Sequence, residues 1–311
     1  LREASGAEPA VHTTDHHRHC PPTGISLYSG LILIFACALA MGDAPDDWHE
    51  HLQQAFAAPS PEQRIPLRHL GIVPEYSNND WYVGAVLQGY PAHGAGLRRG
   101  DRLHTINGEP FHPLRIPGPQ SVTLRFERAN SQQTVELLPV YENLFDSYRS
   151  ATDASINRFI TGNKAVTYVQ LWALSRAPAD LQYYRHLFNI VFRGSDALIL
   201  DLRHAYGYMD WQHTDPFFAS RRPFEHTGTD STAPAETVRQ FEGPVVIISN
   251  EYTRGGAETL MHHLSTSSRT MLIGINSANV PVDHQQAYPL LTAGSVDPQF
   301  EAALNILLNV L

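Results

Sequence analysis

The chain almost lacks lysine. Lys164 is the single one among 311 residues, so a mechanism built on a lysine base has one candidate, and nearly all the positive charge is arginine. Charged residues make up only 17 % and the formal net charge is −9 at pH 7. No basic run follows a phosphate backbone, which argues against nucleic acid as the partner. Cysteine is nearly absent too. Cys20 and Cys37 are the only two, and a chain cut after Ala40 would hold neither a disulfide nor a cysteine nucleophile. Long apolar runs are also missing. The most apolar stretch, residues 27–42, carries about a dozen apolar residues, too few to span a bilayer comfortably. It has the character of a secretory leader, with Ala38-Leu39-Ala40 as the cleavage match. The expectation is export to the periplasm or the extracellular space. A second expectation is lipid attachment at Cys37 within Ile34-Phe35-Ala36-Cys37. The membrane would then be reached through that lipid, or through an uncleaved signal. The preceding residues, 1–24, are long and His-rich where a leader begins short and basic. His12, His16, His17 and His19 beside Cys20 have metal-ligating side chains. In a polar, Pro-flanked tail they read as incidental, so neither metal nor cofactor is expected.

Behind this tail and leader (1–42), residues 43–66 form a short helical segment. Asp46 and Asp47 suit a helix N-terminus, Trp48, Leu52 and Phe56 recur on one face, and Pro59 and Pro61 stop it. Residues 67–140 read as a small β-rich domain. Ala92 and Ala95 form a small-residue turn, and Leu103 and Ile106 flank a strand closed by Asn107-Gly108. Val122–Phe126 and Thr134–Leu138 alternate as strands do. Residues 141–311 alternate helices with wholly apolar strands, the pattern of an α/β sheet covered on both faces. Here Tyr141–Thr161 and Ala179–Phe192 are expected as helices, and Ala165–Leu174 and Ala197–Leu202 as strands. Asp210–Arg239 is polar with scattered aromatics and is expected to form short strands and loops over a cleft. Its Arg221 and Arg222 suit either a carboxylate ligand or an exposed turn.

The most informative stretch is Gly243–Leu264. The apolar run Val245–Ile248 reads as a buried strand, Asn250-Glu251 as its exit and Ala257–Leu264 as a helix, with Gly255 and Gly256 at the corner between them. Such corners lie beyond the carboxyl ends of the strands, where α/β proteins place their ligands.

This segment resembles the nucleophile segment of the C-terminal processing (tail-specific) serine peptidases, peptidase family S41. Tyr90-Pro91-Ala92 through Ile106-Asn107-Gly108 resembles the PDZ pattern found in that family. The resemblance covers Leu70 to Leu304 and implies a PDZ-like β-rich domain followed by a ClpP/crotonase-like α/β core. It also implies a carboxylate-binding loop and strand at Leu70, Gly71, Ile72 and Val73 that would hold a peptide terminus. After Asn107-Gly108 the family places a helix, whereas Pro110, Pro113, Pro117 and Gly118 will not support one, so a groove open on one side is expected.

The resemblance places the attacking serine at Gly255 and the lysine base at Val280. Neither side chain can do the work. The family's oxyanion loop, rich in glycine, corresponds to Asp201-Leu202-Arg203-His204-Ala205-Tyr206-Gly207-Tyr208, so Gly207 and Gly256 mark the oxyanion region while His204 and Tyr208 replace glycines. Asp201 and Arg203 are expected to pair and hold that loop, and Glu258 to hold the helix start. The expectation is an exported protein that binds peptide or unstructured protein segments without Ser-Lys proteolysis. One alternative is an active serine endopeptidase processing protein C-termini with relocated residues, drawn from Ser249, Ser277, His204 and His262, with His263 and His284 nearby. Another is a different reaction in the same cleft. The oligomeric state is left open.

Overall fold

The computed structural model describes residues 44–57, 61–218, 238–277, 280–290 and 296–311. The leader, the two cysteines, the histidine tail and the Arg221-Arg222 pair lie outside them. Among the described residues no helix is long and apolar enough to cross a membrane.

Helix α1 (Ala44–Ala57) comes first, followed by strand β1 (Leu67–His69), which pairs antiparallel with β8 (Val140–Glu142). Between these two lies an antiparallel sheet of β2 (Ile72–Ser77), β3 (Asp80–Val86), β4 (Arg102–Ile106), β6 (Val122–Arg128) and β7 (Ser131–Leu137), with β5 (Glu109–Pro110) added to β4. The β2–β3 hairpin turns on Asn78 and Asn79, both at positive φ, as a tight hairpin with right-handed twist requires. Alternation sets the packing: Val122, Leu124 and Phe126 of β6 point inward while Thr123 and Arg125 face water. A short helix, α2 (Pro91–Gly94), precedes buried Asp101. That carboxylate accepts from the Arg98 N–H at 2.8 Å and from both Nε and Nη2 of Arg128, so it holds a turn and a strand end together. Edge strand β2 is blunted by Pro74 at a register shift.

Helix α3 (Leu144–Ser155) starts where the Asn143 side chain accepts from the Phe145 N–H. The helix expected through Thr161 stops earlier. Residues Asn157–Thr161 form β9 and pair antiparallel with β10 (Lys164–Gln170) around the Gly162 turn, the β-prone Arg158-Phe159-Ile160-Thr161 winning over helical spacing. The strand expected through Leu174 also breaks, resuming as β11 (Ala173–Leu174), because Leu171 donates to the Asp201 carbonyl and Trp172 is held by Thr152 and Gln88. Helix α4 (Pro178–His186) runs into a wider π turn, Leu187–Val191. There follow β12 (Ala197–Asp201), β13 (Tyr206–Gly207), β14 (Val245–Ser249), helix α5 (Gly256–Leu264), β15 (Thr270–Gly274), β16 (His284–Gln285) and helix α6 (Pro298–Val310).

The large sheet runs β16-β15-β14-β12-β10-β9 and is parallel apart from β9. Every residue of β12 and β14 is buried, because α4 and α5 cover one face and α6 covers the other. Both sheets belong to one compact unit, Pro45–Leu311, with a mixed α/β architecture.

Candidate functional site

The corner between β14 and α5 is built by side chains that replace missing backbone partners. Buried Asn250 accepts from the N–H groups of His204 and Tyr252 through Oδ1, both at 3.1 Å. Thr253 Oγ1 takes the Asn250 N–H and donates to the Leu202 carbonyl at 2.8 Å, while the Arg254 N–H reaches the Ala205 carbonyl at 3.0 Å. These bonds stitch the exit of β14 to the exit of β12, and they explain why Asn and Thr stand at those two positions.

Gly255 caps α5 at φ 60° and ψ −126°, a conformation of the type II′ turn that glycine adopts freely and other residues resist. A Cβ there would sit 2.9 Å from the Gly207 carbonyl oxygen and 3.6 Å from the Tyr206 ring. The opposing loop is packed closer still. A Cβ on Gly207, at φ 126°, would meet the Leu174 oxygen at 2.0 Å. Gly256 opens α5 directly against the backbone of Tyr208 and Met209. The Tyr208 N–H, which the family resemblance places in the oxyanion loop, donates to the Leu174 carbonyl at 2.9 Å as β11 and β13 pair. Val280 is buried in the apolar cluster between α5 and the sheet. Neither Gly255 nor Val280 offers a group that could act as nucleophile or base.

Among the described residues, the hydroxyls and imidazoles offered as substitutes have other partners or face water. Ser249 Oγ donates to the Ile275 carbonyl at 3.2 Å. Ser277 Oγ donates to Glu258 at 2.6 Å and accepts the Val280 N–H at 3.2 Å, which ties that loop to the first turn of α5. His262 and His284 are exposed, and His263 packs on Trp211. A serine–histidine pair does occur elsewhere, with 2.9 Å between Ser147 Oγ and His69 Nε2. Its polarity is wrong for catalysis. His69 Nδ1 accepts from the Gly71 N–H, so Nε2 carries the proton and donates, while the Ser147 hydroxyl donates its hydrogen bond to Glu142 at 2.9 Å. Ser147 is also fully buried.

Asp201 and Arg203 form a buried pair. Arg203 Nε lies 2.9 and 3.0 Å from the two Asp201 oxygens, and its Nη1 reaches Asp297 and Gln299 at the start of α6. Tyr168 donates to the same carboxylate at 2.8 Å.

His204 is placed in a way the sequence did not reveal. It sits at φ 59°, stacks on Tyr252 at 5.0 Å, and brings Nδ1 to 3.9 Å from Glu75 of β2. Arg99 stacks on Tyr288, and Glu75, Arg99, Tyr252 and Tyr288 surround this imidazole from segments far apart in the chain. Burial, then the charges of Arg99, Arg203 and Arg254, lowers its pKa to about 3. His69 and His213 are lowered to about 4, chiefly by burial. All three are therefore neutral in the folded protein and take up protons near 6.5 when unfolded. Their contribution is complete above about pH 6.5 and is lost as pH falls toward 3 to 4. The midpoint of urea denaturation is expected to fall steadily from pH 7 to pH 4. His204→Asn, which tolerates positive φ, should flatten that slope. An unchanged slope in the variant would show that His204 is not among the groups responsible.

The loop Leu70–Val73 is filled. The Gly71 N–H goes to His69, its carbonyl accepts from Leu87 at 2.8 Å, and the Leu70 carbonyl accepts from Ala92 at 2.9 Å. Leu70, Ile72 and Val73 are buried. The space among Trp48, His69, Leu70, Ile72, Phe111, Pro113 and Ile116 is about 10 Å³, which barely admits one water molecule. The Pro-rich segment forms no helix, and Phe111 and Ile116 border this space on one side and Trp48 on another. A larger cavity of about 680 Å³, lined by Phe188, Phe192, Asp196, Arg239, Phe241 and Glu242, lies at the amino ends of β12 and β14, away from Gly255.

No protein-family model matches the chain, and no curated protein does. Solved structures give distant likenesses. The photosystem II D1 C-terminal processing protease is 17 % identical with a TM-score of 0.43, over 67 % of this chain and 60 % of its own. A protein described as an S41 protease from Bacteroides fragilis is 15 % identical with a TM-score of 0.49, over 79 % and 84 %. The tricorn protease is 14 % identical with a TM-score of 0.38, over 79 % and 29 %. The chain thus spans less than two thirds of the first and third of these proteins.

Proposed function

We propose that the chain is a tail-specific-peptidase-like protein, a PDZ-like domain joined to a ClpP/crotonase-like core, that binds peptide or unstructured protein segments without Ser-Lys proteolysis. The observation that carries this reading is the corner itself. It keeps the strand, the stitched turn and the helix start, while Gly255 presents no hydroxyl and Val280 lies in the apolar core. A scaffold that retains the form of a peptide site without its nucleophile and base is suited to binding. Export belongs to the same proposal and rests on residues 27–42.

Purified protein incubated with a fluorophosphonate probe and with unstructured substrates labelled at the C-terminus is expected to show neither labelling nor turnover. Those labelled chains should nevertheless raise the anisotropy of the mixture on binding. Turnover that disappears in Ser249→Ala, Ser277→Ala or Ser147→Ala would overturn the non-catalytic reading. Absence of any binding would overturn the peptide-binding part.

A further inference from the structure

The cavity of about 680 Å³ at the amino ends of β12 and β14 lies within the usual volume range of binding sites, about 300–1,000 Å³. Its walls are aromatic. The π turn Leu187–Val191 sets two of them, because the Phe192 N–H closes on the Leu187 carbonyl at 2.8 Å and brings the Phe188 and Phe192 rings edge-on at 5.0 Å. Phe241 supplies a third. Residues 239–243 complete the lining, and their backbone bonds alternate along the chain. The Arg239 N–H donates to Asn189 Oδ1 at 2.7 Å and the Phe241 N–H to the Pro216 carbonyl at 2.7 Å, while Arg269 donates to the Phe241 and Gly243 carbonyls at 2.6 and 3.3 Å. Among the described residues, the N–H and C=O groups of Gln240 and Glu242 have no partner. Free groups at every second residue are the pattern of an open strand edge. The rim carries charge of both signs. Asp196 is held by Lys164 at 3.7 Å and by the Ala165 N–H at 2.8 Å, whereas Arg239 and Glu242 are exposed and form no ion pair among the described residues.

We propose that this cavity binds an extended peptide segment, which adds as a strand along residues 239–243 and sets one large apolar side chain against Phe188, Phe192 and Phe241. The peptide backbone takes up the free groups of Gln240 and Glu242, so that main-chain bonds give affinity and the aromatic pocket gives selectivity. Arg239 and Glu242 favour an acidic residue on one side of the apolar anchor and a basic residue on the other. In a strand, alternate residues share a face, so an acid, an anchor and a base spaced two apart all turn toward the cavity together. The inference rests on the peptide-binding reading above and places that binding at the end of β12 and β14 opposite to the Gly255 corner.

The test uses the full chain and a short dye-labelled peptide, capped at both ends, with the sequence Glu-Thr-Phe-Thr-Lys flanked by Gly and Ser. Replacing its Phe by Ala is expected to weaken binding, read by anisotropy, about tenfold or more, the scale of one buried aromatic side chain. Two N-methylated forms then probe strand addition, one blocked at Glu, Phe and Lys and the other at both Thr. Only the form that keeps the N–H groups facing residues 239–243 should bind. With a benzophenone side chain in place of the Phe, photocrosslinks are expected on residues 188–192 or 239–243. In Arg239→Glu, a change at an exposed position, the wild-type preference for this peptide over its Lys-Thr-Phe-Thr-Lys counterpart should reverse. Crosslinks confined to residues around Gly255 would overturn the proposal, as would equal loss of binding in the two N-methylated forms or an unchanged charge preference in the variant. If unstructured chains bind and this peptide does not displace them, the cavity is the wrong site while the broader peptide-binding reading stands. If neither binds, both are overturned.

Discussion

Arg203→Ala is expected to cost about 3–5 kcal/mol of stability, the scale for removing one partner of a buried ion pair. Asp201 is wholly buried, and without the guanidinium its carboxylate would keep only the Arg203 N–H at 3.0 Å and the Tyr168 hydroxyl. The same change releases Asp297 and Gln299 at the start of α6. The loss should therefore appear twice. The urea midpoint should fall, and α6 amides should exchange faster than those of α5 under native conditions. Asp297→Asn is the matched control: Asp297 is partly exposed, so its change should cost far less. A small loss in Arg203→Ala, or a loss equal to that of Asp297→Asn, would mean that the pair does not anchor the β12 exit.

Much of this framework could be read from sequence because it depends on local periodicity. Apolar Ala197–Leu202 and Val245–Ile248 announced the buried strands Ala197–Asp201 and Val245–Ser249, and Trp48, Leu52 and Phe56 announced the stripe of α1. Asn107-Gly108 announced its turn in the same way. The misreadings occurred where helix and strand signals overlap. Ile156 and Phe159 fit a continuing helix equally well, and only pairing with β10 decides for β9. The corner glycines were legible as a position lacking a side chain. What could not be read was long-range company. Nothing near Glu75 or Arg99 in sequence indicates His204, because that contact exists only once β2 and the β12 exit pack together. The same holds for Trp48, which comes to lie beside Leu70 and Ile72 only in the folded chain.

Restoring a serine and a lysine at the positions suggested by the family resemblance is expected to yield an unstable protein with no activity. Gly255→Ser forces a substituted residue into φ 60°, ψ −126°, at a strain cost of about 1–3 kcal/mol. Its Cβ also meets the Gly207 carbonyl oxygen at 2.9 Å, so the corner and the end of β13 must move apart to admit it. Val280→Lys places an amine in an apolar cluster whose other members include Leu260, Met261 and Leu272. Burial there favours the neutral form, as a base would need, but the folded protein must bear the desolvation of a group it has no means to solvate. The double variant should therefore melt several degrees lower than wild type and remain at background with a fluorophosphonate probe. Adding His204→Gly and Tyr208→Gly is expected to relieve the positive φ at residue 204 without producing activity. The amide of residue 208 is already committed to the Leu174 carbonyl, and absence of one oxyanion donor alone costs about 10²–10³ in rate. Labelling of the folded double variant above wild-type background would show that the loop can still present its donors. The absence of labelling expected of the wild type would then follow from the two side chains alone, rather than from the close packing of β13 against β11.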